Sequence, residues 1–331
     1  MDARPDEVRI SLMSTVFADN PCKLTGGNKL RQLAVGAARR LSGATVGRGR
    51  IQLAKFDMSV ANLGAEFEGA RLVHLSDPHC GPTASQERLR RHVEIINLLD
   101  ADFVVITGDF VTIGHRGYAK RVAEILGRLR AKVAKVACLG NHDYGLWHPS
   151  GLGRSRGLPE ALSRHLNGAG IHVLRNTSRT FFRGEAAIQF VGVEDYWTPM
   201  FDPREAFDLV DVDTPTIALA HNPDAAIEMA AWKPDWILSG HTHGQATPAS
   251  RFWDIVYPTR FKQFVAGRYH VGNRTRLYVN SGLGTTVDFW RGFSPEVTLF
   301  TLVREDAPLG ASQGGRDRPV KVRDTLAYRQ R

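Results

Sequence analysis

A chain of 331 residues with 43% hydrophobic content is long enough for one large domain or two ordinary ones and holds apolar material for a substantial core, so a folded globular protein is expected. The formal net charge of +9 invites a nucleic-acid reading, but residues 1–50 carry 9 Lys and Arg against 4 Asp and Glu, residues 304–331 carry 7 against 4, and residues 51–303 carry 27 against 26. A near-neutral middle argues against a phosphate-tracking groove and so against a nucleic-acid partner, while basic ends remain able to touch an anionic membrane.

Taken in chain order, residues 1–50 form a basic extension. Its start lacks the basic and apolar regions of a signal peptide, and the LSGATVGRGR that follows Arg39-Arg40 is too polar for a twin-arginine signal. Leu30, Leu33, Ala34, Ala37 and Leu41 mark one short amphipathic helix among Lys29, Arg31, Arg39 and Arg40, readable as a surface helix or as a membrane-surface anchor. No stretch approaches the ~18 apolar residues of a membrane span. The odd set Cys22, Cys80 and Cys138 contains no CxxC pair, the pattern of a reducing compartment, so a cytoplasmic protein, peripheral at the inner membrane face if the anchor reading holds, is expected.

Residues 51–303 form the central domain. Strands are predicted at 71–76, 103–107, 133–139, 216–220, 236–239, 276–280 and 296–302. A helix is predicted over 85–99, where Leu89, Val93, Ile96 and Leu99 share a face, and a second through Val122, Ile125 and Leu129. Alternating strands and helices mean an α/β layered core. Residues 304–331, centred on GASQGGRDRP, read as a disordered basic tail.

The chemistry lies just after the strands. There stand Asp77 and His79, then Gly108-Asp109, then Gly140-Asn141-His142-Asp143, then His221, then Gly240-His241-Thr242-His243. The carboxyl ends of strands in an α/β sheet open onto one edge, where residues distant in sequence converge. In extended chain, residues i and i+2 point to one side, which would aim Asp77 with His79 and His241 with His243 at a common point; Pro78 stiffens the first pair. Carboxylates, one amide and imidazoles are O and N donors suited to divalent Mn²⁺, Fe²⁺ or Zn²⁺, without the thiolates of a structural zinc site. Cys80 beside His79 is expected to be a small buried neighbour, Cys138 a core residue, and His74 structural. His115, His148 and His270 are open to substrate contact but not fixed by any pattern. The aromatic and basic stretch 251–269 reads either as a packed excursion or as a wall for a substrate with a hydrophobic part and phosphate charges.

Together, D77-x-H79, G108-D109, G140-N-H-D143, H221 and G240-H-T-H243 resemble the ordered motif set of the calcineurin-like metallophosphoesterases, and GLGT (282–285) with PEVTLFTL (295–302) is similar to the ending of a bacterial branch of that family. The resemblance implies a four-layer αββα sandwich of two mixed sheets flanked by helices. It implies one metal ion held by Asp77, His79 and His243, a second by Asn141, His221 and His241, Asp109 bridging both, and His142 as general acid. The implied reaction is hydrolysis of a phosphodiester or pyrophosphate by a metal-bridging hydroxide, a chemistry that two closely spaced cations support. Some relatives act on nucleotide-sugar lipids such as acylated UDP-glucosamine, a candidate substrate here. One position departs from the pattern: many relatives place an aspartate three residues after the bridging one to polarise the histidine, and here Thr112 occupies it, leaving Asp143 or a more distant carboxylate as a substitute. Two rival readings are a silent scaffold, which lost ligands would signal although all seven are present, and a nuclease, which would need the basic groove that the charge distribution lacks.

The anchor reading has a direct test. Removal of residues 1–50 is expected to reduce co-sedimentation with anionic liposomes and to leave hydrolysis of a soluble diester unchanged; equal liposome binding by both forms would eliminate the anchor.

Overall fold

The computed structural model describes residues 11–12, 51–81, 86–112, 116–150, 155–244, 264–284, 295–305 and 319–320. In chain order the strands are β1 (Ser11–Leu12), β2 (Gln52–Val60), β3 (Arg71–Ser76), β4 (Phe103–Thr107), β5 (Ala134–Cys138), β6 (His172–Val173), β7 (Thr177–Arg183), β8 (Ala186–Gly192), β9 (Thr216–Leu219), β10 (Trp236–Ser239), β11 (Gly267–Val271), β12 (Thr275–Val279), β13 (Glu296–Arg304) and β14 (Pro319–Val320). They build two mixed sheets, ordered β1-β2-β13-β3-β4-β5-β6 and β14-β11-β12-β10-β9-β8-β7. In the first, β3, β4 and β5 run parallel while β13 pairs antiparallel with β3. In the second, β8, β9, β10 and β12 run parallel, flanked by antiparallel β7 on one side and antiparallel β11 on the other, with β14 parallel to β11 at that edge.

The period of two along each strand makes the layers. In β3 and β4, Val73, Leu75, Val104 and Ile106 face helices, while Leu72, Phe103 and Val105 face the other sheet. Helices α1 (Gln86–Asn97), α2 (Arg116–Leu126) and α3 (Leu158–Gly168) cover the outer side of the first sheet through Leu89, Val93, Val122, Leu162 and Leu166. From the second sheet, Ile217, Leu219, Trp236, Leu238 and Tyr278 point inward, and Ala218, Ile237, Leu277 and Val279 point outward to the short helices α4 (Pro203–Phe207) and α5 (Ala226–Met229). Central strands buried on both faces read as continuous apolar runs, which is why they were legible in the sequence. The four-layer αββα sandwich of two mixed sheets is therefore the observed fold.

Several expectations need correction. The second helix ends at Leu126 and Gly127 follows, so Leu129 reaches the core from a turn, with its N–H donated to the Leu126 carbonyl at 3.0 Å. Strands β1, β2, β6, β7, β8, β11 and β14 and helices α3, α4 and α5 are additional to the predicted elements. The helix candidate of residues 30–41, Cys22, His115 and most of the basic tail lie outside the described residues. So do residues 251–263 of the aromatic stretch; of its remainder, Phe264 is buried in the outer layer of the second sheet and Gly267–Val271 is strand β11. No described helix is long and apolar enough to cross a membrane.

Phe103 carries much of the contact between the sheets. It is fully buried, with ring centroids of Phe190, Phe67 and Phe181 at 5.1, 5.7 and 6.1 Å. Phe103→Ala is expected to cost ~3–5 kcal/mol, the transfer term plus the cavity, read as a lowered urea midpoint at unchanged slope.

Candidate metal centre

Six loops leave the carboxyl ends of β3, β4, β5, β9, β10 and β12 at the same edge and lock together through main-chain hydrogen bonds. The loops after β3 and β4 zip side by side: Asp77 N–H to Gly108 O, His79 N–H to Asp109 O and Cys80 N–H to Phe110 O at 2.8–3.1 Å. Gly240 N–H donates to His221 O within the second sheet, and Leu283 N–H and Gly284 N–H reach across to Ser76 O and Asp77 O.

The pairs Asp77/His79 and His241/His243 are not extended, as the alternation argument assumed. All four residues have positive φ, at 51°, 42°, 71° and 51°, as does Asp109 at 53°. These five are the majority of the nine non-glycine residues with positive φ among the described residues. Such backbone costs about 1–3 kcal/mol per residue and gathers at functional sites. Two glycines make the crowding possible. A Cβ on Gly240 would stand 1.7 Å from Ser76 Oγ and 2.4 Å from Asp77 Oδ2; on Gly108, itself at φ +71°, it would meet His221 Nδ1 at 2.6 Å.

Asp77, Asp109, His221 and Asn141 divide their polar atoms between scaffold and interior. Asp77 Oδ2 accepts from His241 N–H at 3.1 Å and from the Ser76 hydroxyl, leaving Oδ1 with no hydrogen-bond partner. Asp109 Oδ1 accepts from His142 N–H at 3.0 Å, and Oδ2 lies 3.2 Å from His221 Nε2, 3.8 Å from His79 Nε2 and 3.9 Å from His142 Nε2. His221 donates Nδ1–H to Thr107 O at 2.8 Å, which turns its unpartnered Nε2 inward. Asn141 Nδ2 donates to Leu146 O at 2.8 Å, so that Oδ1 faces His241 Nδ1 at 3.0 Å. His79 Nε2 and His243 Nε2 approach to 3.3 Å, at 3.8 and 3.6 Å from Asp77 Oδ1.

Two clusters result, Asp77–His79–His243 and Asp109–His221–His241, each with its candidate ligand atoms within 4.8 Å of one another. Asn141 joins the second through His241, and Asp109 Oδ2 reaches His79 of the first. Orphaned Asp77 Oδ1 and His221 Nε2, 4.0 Å apart and fully buried, are what a pair of cations would satisfy, and the O/N donor set fits Mn²⁺, Fe²⁺ or Zn²⁺. Burial alone would raise the Asp109 carboxyl, but His221, His142 and His79 hold it well below its usual range; burial alone would lower His221, but Asp109 and Asp77 raise it.

His142 Nδ1 meets the main-chain carbonyl of Thr112 at 3.0 Å. The ring is held by this carbonyl and not by the Thr112 side chain, and no sequence pattern announces it. Asp143 is not the substitute: its carboxylate accepts from Gly140 N–H at 2.9 Å and Val111 N–H at 3.2 Å, and burial pushes it well above the ordinary carboxyl range. Cys80 is buried and its thiol is pushed up to about 11 by burial, so it stays protonated; Cys138 is buried at the end of β5. His74 is buried, with Nε2 2.9 Å from Thr107 Oγ1, and burial lowers it to about 3. His148 bonds Ser150 at the surface, and His270 lies on β11. Two tryptophans were not foreseen: Trp147 packs on His142 at 5.8 Å and Trp197 on His241 at 4.9 Å between ring centroids.

Comparison with known proteins places this geometry. Residues 70–245 match the family model described as calcineurin-like phosphoesterase. The chain is 32% identical over 241 residues to a transmembrane protein with metallophosphoesterase domain from Danio rerio, covering 69% of this chain and 52% of that protein's length. It is 30% identical over 243 residues to the uncharacterized metallophosphoesterase YkuE of Bacillus subtilis (71% and 80%). It is 26% identical over 275 residues to the UDP-2,3-diacylglucosamine pyrophosphatase LpxG of Chlamydia muridarum (71% and 84%).

Asp109→Asn keeps the acceptor for His142 N–H but removes the charge that both clusters face. Elemental analysis of the wild-type protein is expected to give close to two ions per chain, and the variant should lose both in parallel. Loss of one ion at full retention of the other would exclude a shared carboxylate.

Proposed function

The chain belongs to the calcineurin-like phosphoesterase family, and from that premise we propose that it is a dinuclear metal-dependent hydrolase of phosphodiester or pyrophosphate bonds. The observation that carries this reading is Asp109 Oδ2, set between two ligand clusters with the His142 ring beside it. Asp77, His79 and His243 would hold one cation, Asn141, His221 and His241 the other, and Asp109 both. Cations there would supply Lewis acidity for water and for the phosphoryl oxygens.

What the chain itself contributes follows from its hydrogen bonds. The Thr112 carbonyl can only accept, so His142 carries a proton on Nδ1 in both its neutral and its cationic form. The mobile proton therefore resides on Nε2, on the side of Asp109. As the P–O bond breaks, Nε2–H donates to the leaving oxygen and the neutral ring remains anchored through Nδ1. A carbonyl fixes ring orientation as an aspartate would, but adds no full negative charge to hold the imidazolium.

The likeness to proteins named UDP-2,3-diacylglucosamine pyrophosphatase and to Escherichia coli phosphodiesterase YaeI supports a diester or pyrophosphate over a protein substrate, with a nucleotide-sugar lipid as the specific candidate. A lipid substrate agrees with cytoplasmic action at an anionic membrane face through the basic residues 1–50.

The role of His142 is tested by varying how badly the leaving oxygen needs a proton. His142→Asn is expected to slow an alkyl phosphodiester by ~10²-fold or more and a p-nitrophenyl diester clearly less, with metal content measured in both proteins. Equal losses at full metal occupancy would assign the ring to the phosphoryl oxygens instead.

A further inference from the structure

Trp147 is 51% exposed, an uncommon position for the largest aromatic side chain. The main chain that leads to it is nevertheless held. Leu146 donates its N–H to Asn141 O and accepts from Asn141 Nδ2, both at 2.8 Å, and is itself buried. Two residues further back, buried Tyr144 gives its hydroxyl to Glu194, which Arg175 grips through Nε and Nη2 at 2.9 Å each. The stretch from Asn141 to Leu146 is thus tied at both ends, and it carries an indole out to the surface beside the His142 ring, with centroids 5.8 Å apart and planes at 59°.

That place has a chemical meaning. If His142 Nε2 protonates the leaving oxygen, the group attached to that oxygen emerges next to the His142 ring, where the indole stands. Trp197, the other tryptophan at the centre, is differently used: half-buried against the helical core, with its main-chain N–H tied to Asp195 Oδ1 at 2.9 Å, it sets an edge against His241. Trp147 alone of the two offers open aromatic surface. An exposed indole on a fixed main chain favours a flat ring, because offset stacking needs a rigid face and the ordering entropy is already spent on the protein side.

We propose that Trp147 is a specificity residue that stacks on a flat ring, a nucleobase or an aryl group, borne by the leaving group. This rests on the hydrolase reading above and adds to it the chemistry of one half of the substrate.

The test uses the full-length protein as purified. Uridine 5′-monophosphate, ribose 5-phosphate and octyl phosphate are titrated by calorimetry into the wild type and into Trp147→Ala, Trp147→Phe and Trp197→Phe, with folding checked by circular dichroism. The wild type should bind uridine 5′-monophosphate about tenfold more tightly than ribose 5-phosphate, within the range for stacking of one base on one aromatic side chain. That preference should vanish in Trp147→Ala, return largely in Trp147→Phe and persist in Trp197→Phe. On methyl p-nitrophenyl phosphate, Trp147→Ala should raise KM several-fold with kcat within about twofold, the mark of uniform binding lost. A preference that survives Trp147→Ala, or is absent from the wild type, would overturn the proposal, as would octyl phosphate binding that depends on Trp147 to the same degree. A wild type that hydrolyses no diester or pyrophosphate yet shows the Trp147-dependent preference would sink the hydrolase reading and leave the ring site standing. Diester hydrolysis without the preference would sink the ring site alone.

Discussion

Two buried carboxylates, Asp77 and Asp109, face five imidazoles, those of His79, His142, His221, His241 and His243, with no lysine or arginine paired to either acid among the described residues. Burying charge is among the most expensive things a fold can do. The arrangement persists because each carboxylate gives one oxygen to main-chain N–H groups and keeps the other for the interior, Asp77 through His241 N–H and Asp109 through His142 N–H. The same division recurs at His221, held by Thr107 O, and at Asn141, held by Leu146 O. The inward atoms of Asp77, Asp109, His221 and Asn141 therefore each have a main-chain anchor on the same side chain.

That reliance on main chain explains the strained backbone. A side chain can be re-aimed by its rotamer, whereas a carbonyl or an N–H can be aimed only by φ and ψ, so Asp77, His79, Asp109, His241 and His243 adopt left-handed conformations. Two seven-stranded sheets over fully buried aromatics such as Phe103, Phe190 and Phe300 supply the rigidity that holds them there. Deeper support comes from a buried polar set between the sheets: Glu296 accepts from Tyr278, Thr298 and Asn280, and Asn280 Oδ1 accepts from Gly282 N–H at 2.7 Å, just where Gly282 packs under Asp77.

The sequence made the buried centre of each sheet legible because strands covered on both faces are unbroken apolar runs: Arg71–Ser76, Phe103–Thr107 and Trp236–Ser239 have the expected bounds. The edge hairpin of β7 and β8 is not legible because Thr177–Arg183 is polar and half exposed, whereas β2 does carry an alternation, in Phe56, Met58 and Val60, all on the side facing the other sheet. The side chains that converge at the strand ends were read from residue type and order. What could not be read is everything decided by backbone atoms: the left-handed loops, the Thr112 carbonyl behind His142, and the loop closure that brings Trp147 beside that ring. Residue letters report side chains, and here the finishing is done by peptides.

The first sheet contributes Asp77, His79, Asp109 and Asn141 to the centre, and the second contributes His221, His241 and His243. An ion bound there would be shared by two halves that unfolding separates, so it would act as a clasp on the sandwich, and by linkage it would favour the folded state by an amount set by its concentration relative to its Kd, about 2.7 kcal/mol at a hundredfold excess. The coupling would be reciprocal: loosening the apolar contact between the sheets, far from any ligand, would lower affinity for the ion, and depletion of the ion would loosen the contact.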